Sequence, residues 1–299
     1  MASSLKLARR NIDQKSIFDR RIHEIDLVRG LLIILVVCDH IFWNLKHYGA
    51  IWYDASSNTN KAFLFFRDFF GWYWTSSARS VIQPIILMAF CFISGVSCAF
   101  SRNNWKRAVQ TLTIWFLIAS ISNIAQIFGF FPDQGTVRVD FNIIGVLGFS
   151  TLFYCFIQNR SWKSLAAATL IAFVMSWFII PNIQDNFIRF FGSSPVVHAE
   201  HTSYVPNFYF PFFWEPAEVF GGTKQADYVP LFPYIMFFFG GALVTYFVYR
   251  KKRKSLFRSF EWERPICFLG RHTFVIYIVH QAVLTGLFTV LNAIIQAYY

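Results

Sequence analysis

The chain alternates between long apolar runs and short polar joints, and the runs predict its elements. Windows of roughly 18 to 25 predominantly apolar residues fall near residues 26–46, 80–100, 107–130, 140–158, 163–181, 229–249 and 266–296. Each is long enough for a helix to cross a bilayer core of about 30 Å. The pattern predicts an all-α, polytopic transmembrane helix bundle of about seven spans. The last window is long enough to kink or to run past the bilayer. Two segments interrupt the rhythm. "AFLFFRDFFGWYW" at 62–74 is aromatic and amphipathic but too short to span, and predicts a helix at the outer interface. Residues 182–228, rich in Phe, Tyr, Trp and Pro, predict a long extracytoplasmic loop of the kind that serves as a lid or binding surface. There is no 20 to 50 residue repeat and no matched pair of broken helices, so the inverted-repeat signature of many transporters is missing.

Composition agrees with this pattern. With 56% hydrophobic and 14% charged residues in 299, no separate soluble domain fits. The division expected is a basic cytoplasmic tail, 1–20, and a single membrane domain, 21–299. Residues 1–23 have no apolar core of their own, so the first span is expected to act as the anchor. Charge then orients the bundle. Twenty of the 27 Lys and Arg fall in the tail and in the segments after the second, fourth and sixth spans, which selects N-in and C-out. The net charge of +11 is therefore topogenic and gives no reason to expect nucleic acid. The run "RKKRK" at 250–254 also suits anionic lipid or an anionic cofactor. The five cysteines suggest neither a disulfide framework nor a metal site.

Candidate chemistry begins in the first span, "RIHEIDLVRGLLIILVVCDHIFW". Arg29 and His40 are eleven positions apart, about 1100° of rotation, so they lie within roughly 20° of each other, with His40 about 16 Å further along the axis. Asp26 lies near the same line and can pair with Arg29. The stripe offers a cation near the inner surface and an imidazole deep in the bundle. Asp39 points about 100° away from His40 and should face a different helix, where an ionised carboxylate needs a partner or a wet cavity. His280 in the last span, Asp227 at the outer mouth of the sixth and Asp140 at that of the fourth fall at a comparable outer level. That grouping favours a site over scattered polar contacts between helices.

These residues sit in motifs that carry a resemblance. "RIHEIDLVRGLLIILVVCDH", "FCFISGVSCAFSR", "FNIIGVLGFSTLFY", "DYVPLFPYIMFFFGGAL" and "FLGRHTFVIYIVHQAVL" follow one another as in the bacterial membrane proteins related to the catalytic domain of heparan-alpha-glucosaminide N-acetyltransferase. The spacing from Arg29 to His40 and "FISG" at 92–95 also resemble the wider group of membrane acyltransferases that acetylate cell-surface sugars. The resemblance implies a multi-pass protein of the bacterial cytoplasmic membrane. It would move an acetyl or other acyl group from cytoplasmic acyl-CoA to an extracytoplasmic glycan or amino-sugar acceptor.

Basic residues at the inner face, Arg29 and Arg271 with Asp26 beside them, can hold the phosphates of acetyl-CoA. A neutral imidazole near the outer side can act as base or acyl carrier. His40 is the first choice, with Asp39 as a further catalytic candidate and Asp39, Asp227 or His280 as its orienter or as acceptor contacts. His47, two turns on, is a rival, because the histidine of the heparan enzyme resembles one just past the first span. Asp227, His280 and Asp140 are the expected acceptor contacts. "HAEH" at 198–201 matches no zinc spacing, so no metal is expected. Membrane lipid is the other expected partner, and a homo-oligomer stays open. A proton-coupled transporter of a sugar or cell-wall fragment is the competing reading, with the same His and Asp residues as its relay.

Overall fold

The computed structural model describes residues 22–101, 103–129, 139–180, 227–249, 255–257 and 260–299. Among them the chain is all helix, in nine α-helices. These are α1 His23–Ala55, α2 Lys61–Thr75, α3 Ser77–Ala99, α4 Asn104–Phe128, α5 Ile143–Ile157, α6 Trp162–Val174, α7 Tyr234–Phe247, α8 Arg264–Arg271 and α9 Thr273–Tyr298. A π-helical turn, Met175–Ile179, prolongs α6, and a 3-10 turn, Glu261–Glu263, leads into α8. The expected basic tail, the "RKKRK" run, "HAEH" and nearly all of the long outer loop lie outside the described residues.

Every apolar window contains a helix, but the lengths differ. Four segments, Ser77–Ala99, Asn104–Phe128, Trp162–Ile179 and Thr273–Tyr298, are long and apolar enough to cross a membrane. Their large exposed side chains, such as Val81, Phe116, Leu170 and Val283, are what lipid-facing surfaces require. α5 and α7 are shorter, at 15 and 14 residues, and apolar all round. Such helices are usually enclosed by others, and these two bury Val146, Phe238 and Ala242 completely. The seventh window is interrupted at His272, where the α8 C-cap leaves helical geometry at φ −102, ψ 9.

The chain divides into two compact units. One comprises Met1–Ile86 with Lys252–Tyr299, the other Leu87–Lys251, so the boundary falls inside α3. In the first unit α1 is the spine. Its 33 residues would run about 50 Å. It starts well because Glu24 and Asp26 in its first turn suit the positive end of the helix dipole. It passes the expected end near residue 46 because nothing there breaks it, and its second half has packing partners. It stops only where Ser57 and Asn58 adopt positive φ, 53° and 62°.

The chain then reverses. Asn60 caps α2 by accepting from the Ala62 and Phe63 amides, and α2 runs back along α1. Trp52 meets Phe63, while Phe42, ten residues earlier, meets Phe70 and Tyr73. That order makes the pair antiparallel. Phe65, Phe69 and Trp72 form an exposed stripe on the other side of α2.

α9 packs along α1 in matching steps of four. His40, Asn44, Tyr48 and Trp52 occupy one face of α1, and His280, Leu284, Phe288 and Asn292 occupy one face of α9. Close packing and side-chain hydrogen bonds hold this contact. Tyr48 and Thr289 are 3.4 Å apart, and Trp52 Nε1 donates to Asn292 Oδ1 at 3.1 Å. Such bonds contribute on the order of 1 kcal/mol each.

In the second unit α4 and α5 pair through Trp115, Phe141 and Phe149. α3 and α7 approach backbone to backbone at two glycines: a Cβ on Gly95 would lie 1.8 Å from the Phe238 carbonyl oxygen, and one on Gly241 would lie 2.0 Å from that of Phe92. Gly240 has open space beside it, so it has no such role.

Candidate active site

At the N-terminal end of α1, short-helix α8 comes unusually close. A Cβ on Gly270 would fall 1.7 Å from the Asp26 carbonyl oxygen, and one on Gly30 would fall 2.0 Å from that of Ile266. Only glycine permits both contacts. They bring Arg271 to Asp26, with Nε 3.3 Å from Oδ2, so the carboxylate expected to pair locally gains a partner 245 residues away. The other carboxylates here are also engaged. Glu24 accepts from the Leu256 amide at 2.8 Å and from the Ser255 hydroxyl, while Glu263 accepts from the Phe260 amide at 3.0 Å and lies 3.6 Å from His23 Nε2. Arg29 is half-buried on the same turns of α1. The N-terminal end of α1 therefore gathers engaged charges, with Asp26 paired to Arg271 and Glu263 beside His23.

Eleven residues further on, the chemistry changes. The His40 and His280 rings are parallel to within 4° with centroids 4.7 Å apart, and His40 Nδ1 meets His280 Nε2. Facing nitrogens in hydrogen-bond contact exclude a face-to-face stack; the imidazoles meet edge to edge. His280 Nδ1 in turn meets the Tyr277 carbonyl oxygen at 2.6 Å. One turn along α1, Asn44 is fully buried, and its Nδ2 donates to the His40 carbonyl at 2.8 Å. A carbonyl can only accept, so this bond settles which way the amide points. Oδ1 is then the atom left buried with no donor among the described residues.

Asp39 faces away from this pair, as its 100° offset from His40 predicts. Arg79, near the start of α3, grips it with a fork, Nε to Oδ1 at 2.9 Å and Nη2 to Oδ2 at 3.0 Å. The Tyr73 hydroxyl donates to Oδ1 at 3.0 Å. Burial, and after it the Asp39 charge, pushes the Tyr73 phenol up to about 12, so it remains a donor at neutral pH. The Arg79 guanidinium also lies over the Trp74 ring, 3.5 Å from its centroid. This is the arrangement a carboxylate needs in an apolar setting: charge, geometry and remaining lone pairs are all answered. Asp39 thus ties α1 to α2 and α3 and leaves the His40 ring to α9.

His47 lies on α1 itself rather than past it, with its ring parallel to Trp43 at 5.5 Å and edge-on to Tyr48. In the second unit, Asp140 accepts from Asn123 Nδ2 at 2.9 Å, and its carbonyl accepts from Trp115 Nε1. The Val229 amide donates to the Phe141 carbonyl at 3.1 Å, which brings the segments carrying Asp227 and Asp140 together just before α7 and α5. Within one unit the structure thus joins His40 with His280 and Asp26 with Arg271, in place of the expected Asp26–Arg29 pair, and within the other it joins the segments carrying Asp140 and Asp227.

The model of the heparan-alpha-glucosaminide N-acetyltransferase catalytic domain matches residues 21–282. The chain belongs to this family. No curated protein and no solved structure matches it. The matched region includes Asp26, Arg29, Asp39, His40, His47, Asp140, Asp227, Arg271 and His280. Membership makes the protein a multi-pass membrane protein of acetyltransferase type, in a family that generally uses acetyl-CoA as donor and a glycan or amino sugar as acceptor. The transporter reading loses ground accordingly.

Tyr73, Arg79 and Asn44 were not singled out by sequence. Arg79 lies in the stretch "GWYWTSSARS", whose aromatic run gives no sign of a carboxylate partner. The sole signal for Asn44 was its place four residues beyond His40 in an otherwise apolar run.

Proposed function

We propose that this protein acetylates an extracytoplasmic amino-sugar or glycan acceptor, using acyl-CoA taken from the cytoplasm, in a bacterial cytoplasmic membrane with its N-terminus inside. Arg29 and Arg271 bind the donor's phosphates at the inner end, where Asp26 holds Arg271 in register. The pantetheine arm extends along α1 and presents the thioester near His40. The acceptor nitrogen or oxygen attacks the thioester carbon and passes its proton to His40; the C–S bond breaks, and the thiolate leaves to become the thiol on taking up a proton. In the two-step form the imidazole accepts the acyl group first and hands it on. His47 is the rival base.

The observation that carries this reading is that α1 brings His40, paired with His280, about three turns along from Asp26, which holds Arg271, in a chain of an acetyltransferase family. The test supplies labelled acetyl-CoA to inside-out membrane vesicles and follows the label by mass spectrometry. A labelled sugar product should form with the natural protein and fall by about 10²- to 10⁴-fold in His40→Ala. Product that persists in His40→Ala and disappears in His47→Ala would move the base one stretch along α1. No product with any acyl donor would end the enzyme reading.

A further inference from the structure

We propose that His280 is a positioning residue that fixes the tautomer of His40. The inference rests on His40 being the acting imidazole, and it follows from three atoms whose roles leave no choice. The Tyr277 carbonyl oxygen can only accept, so His280 Nδ1, 2.6 Å away, carries the hydrogen. A neutral imidazole with hydrogen on Nδ1 has a bare Nε2, and that nitrogen is the one facing His40. His40 Nδ1 must then donate to it. The His40 Nε2 lone pair is consequently the free one, directed away from α9 and available to take a proton or an acyl group.

In the familiar serine hydrolase arrangement a buried carboxylate performs this task, holding the catalytic histidine by its Nδ1 hydrogen. The carboxylate next to His40 in sequence cannot do so here. Asp39 is held on another side of α1 by Arg79 and Tyr73, and its lone pairs point to them. A second imidazole, itself anchored to a backbone carbonyl, takes the carboxylate's place. The substitution suits the surroundings. A neutral orienter at this depth avoids the cost of another ionised group in an apolar bundle, on the order of 3 kcal/mol on insertion scales. During transfer, the acceptor's N–H proton moves to His40 Nε2 as its N–C bond forms and the C–S bond breaks. His40 keeps its Nδ1 hydrogen bonded to His280 throughout, and the proton on Nε2 is then lost to the departing thiolate.

The test compares three variants in which position 280 accepts, only donates, or does neither. His280→Gln keeps an accepting oxygen, His280→Lys offers only donors, and His280→Phe removes the polar contact while keeping a ring. With acetyl-CoA and glucosamine as probes, His280→Gln should retain kcat within about tenfold. His280→Lys and His280→Phe should each lose about 100-fold or more, with both KM values nearly unchanged. Nitrogen-15 NMR of histidine-labelled protein in bilayers, with His40 signals assigned by difference against His40→Ala, reads the tautomer directly. The natural protein should show hydrogen on Nδ1 and a bare Nε2, and His280→Phe should populate the opposite form. Hydrogen on Nε2 of His40 in the natural protein, or full activity in His280→Phe, would overturn the inference. If no acetyl transfer is seen with these probes while the Nδ1 tautomer is present and shifts in His280→Phe, the proposed function fails and the tautomer assignment stands.

Discussion

The two ends of one helix solve opposite electrostatic problems. Toward its N-terminus α1 collects charges: Asp26 finds Arg271 across a glycine-to-backbone contact with α8, and Glu24 accepts from the Leu256 amide. Eleven residues on, the side chain that meets α9 is an imidazole, His40 against His280, with the Asn44 amide one turn further bonded to the His40 carbonyl. The difference answers the cost of an ion away from water. Near a membrane surface, water and headgroups share the cost of an ion, so moderate pairs suffice; deeper, an ion must bring its whole coordination with it or be replaced by a neutral group. Asp39 is a carboxylate that keeps to the rule, since a bidentate guanidinium and a phenol enclose it.

The comparison can be broken most severely at the glycine contact. Gly270→Leu places side-chain atoms where the Asp26 carbonyl already lies. It should prevent a folded first unit from accumulating, read as loss of the monodisperse peak in detergent chromatography. Arg79→Leu comes next, because it strands the Asp39 carboxylate. Leaving one partner of a buried pair costs about 3–5 kcal/mol, so the melting temperature should drop sharply, and the double change Arg79→Leu with Asp39→Leu should recover much of it. An equal drop in single and double variants would show that packing, not charge, holds α2 and α3 to α1.

Smaller effects sharpen the contrast. Arg271→Gln removes a cation that is about a quarter exposed. It should raise the acetyl-CoA KM several-fold with little change in kcat, and a kcat effect alone would place the donor elsewhere. Arg264→Gln breaks the exposed pair with Glu261 at 3.0 Å, where solvent screens the attraction, and should leave melting unchanged.

How far this was legible from sequence differs from residue to residue. The separation of Asp39 from His40 needed only 100° per residue, and both side chains do leave α1 on different sides. The end of α1 near residue 46 was misplaced because falling hydropathy was the only signal. The helix continues because Tyr48 and Trp52 find Leu284 and Phe288, partners that no local window contains. α2 was expected from its amphipathic aromatics; that it doubles back along α1 depends on Gly49, where a Cβ would lie 2.8 Å from that of Phe66. The partner of Asp26 was sought at Arg29, within reach on one helix, while Arg271 arrives only because two glycines let α8 in.

By itself the sequence determined that the chain is helical and membrane-embedded, that one stripe of α1 carries Arg29 and His40, and that Asp39 lies off that stripe. These are properties of hydropathy and of a fixed helical pitch, and both are local. Which groups meet was decided only by tertiary structure: His40 with His280, 240 residues apart, and Asp39 with Arg79, 40 apart. The tautomer of an imidazole depends on what its other nitrogen touches. That contact exists only once α9 has packed against α1.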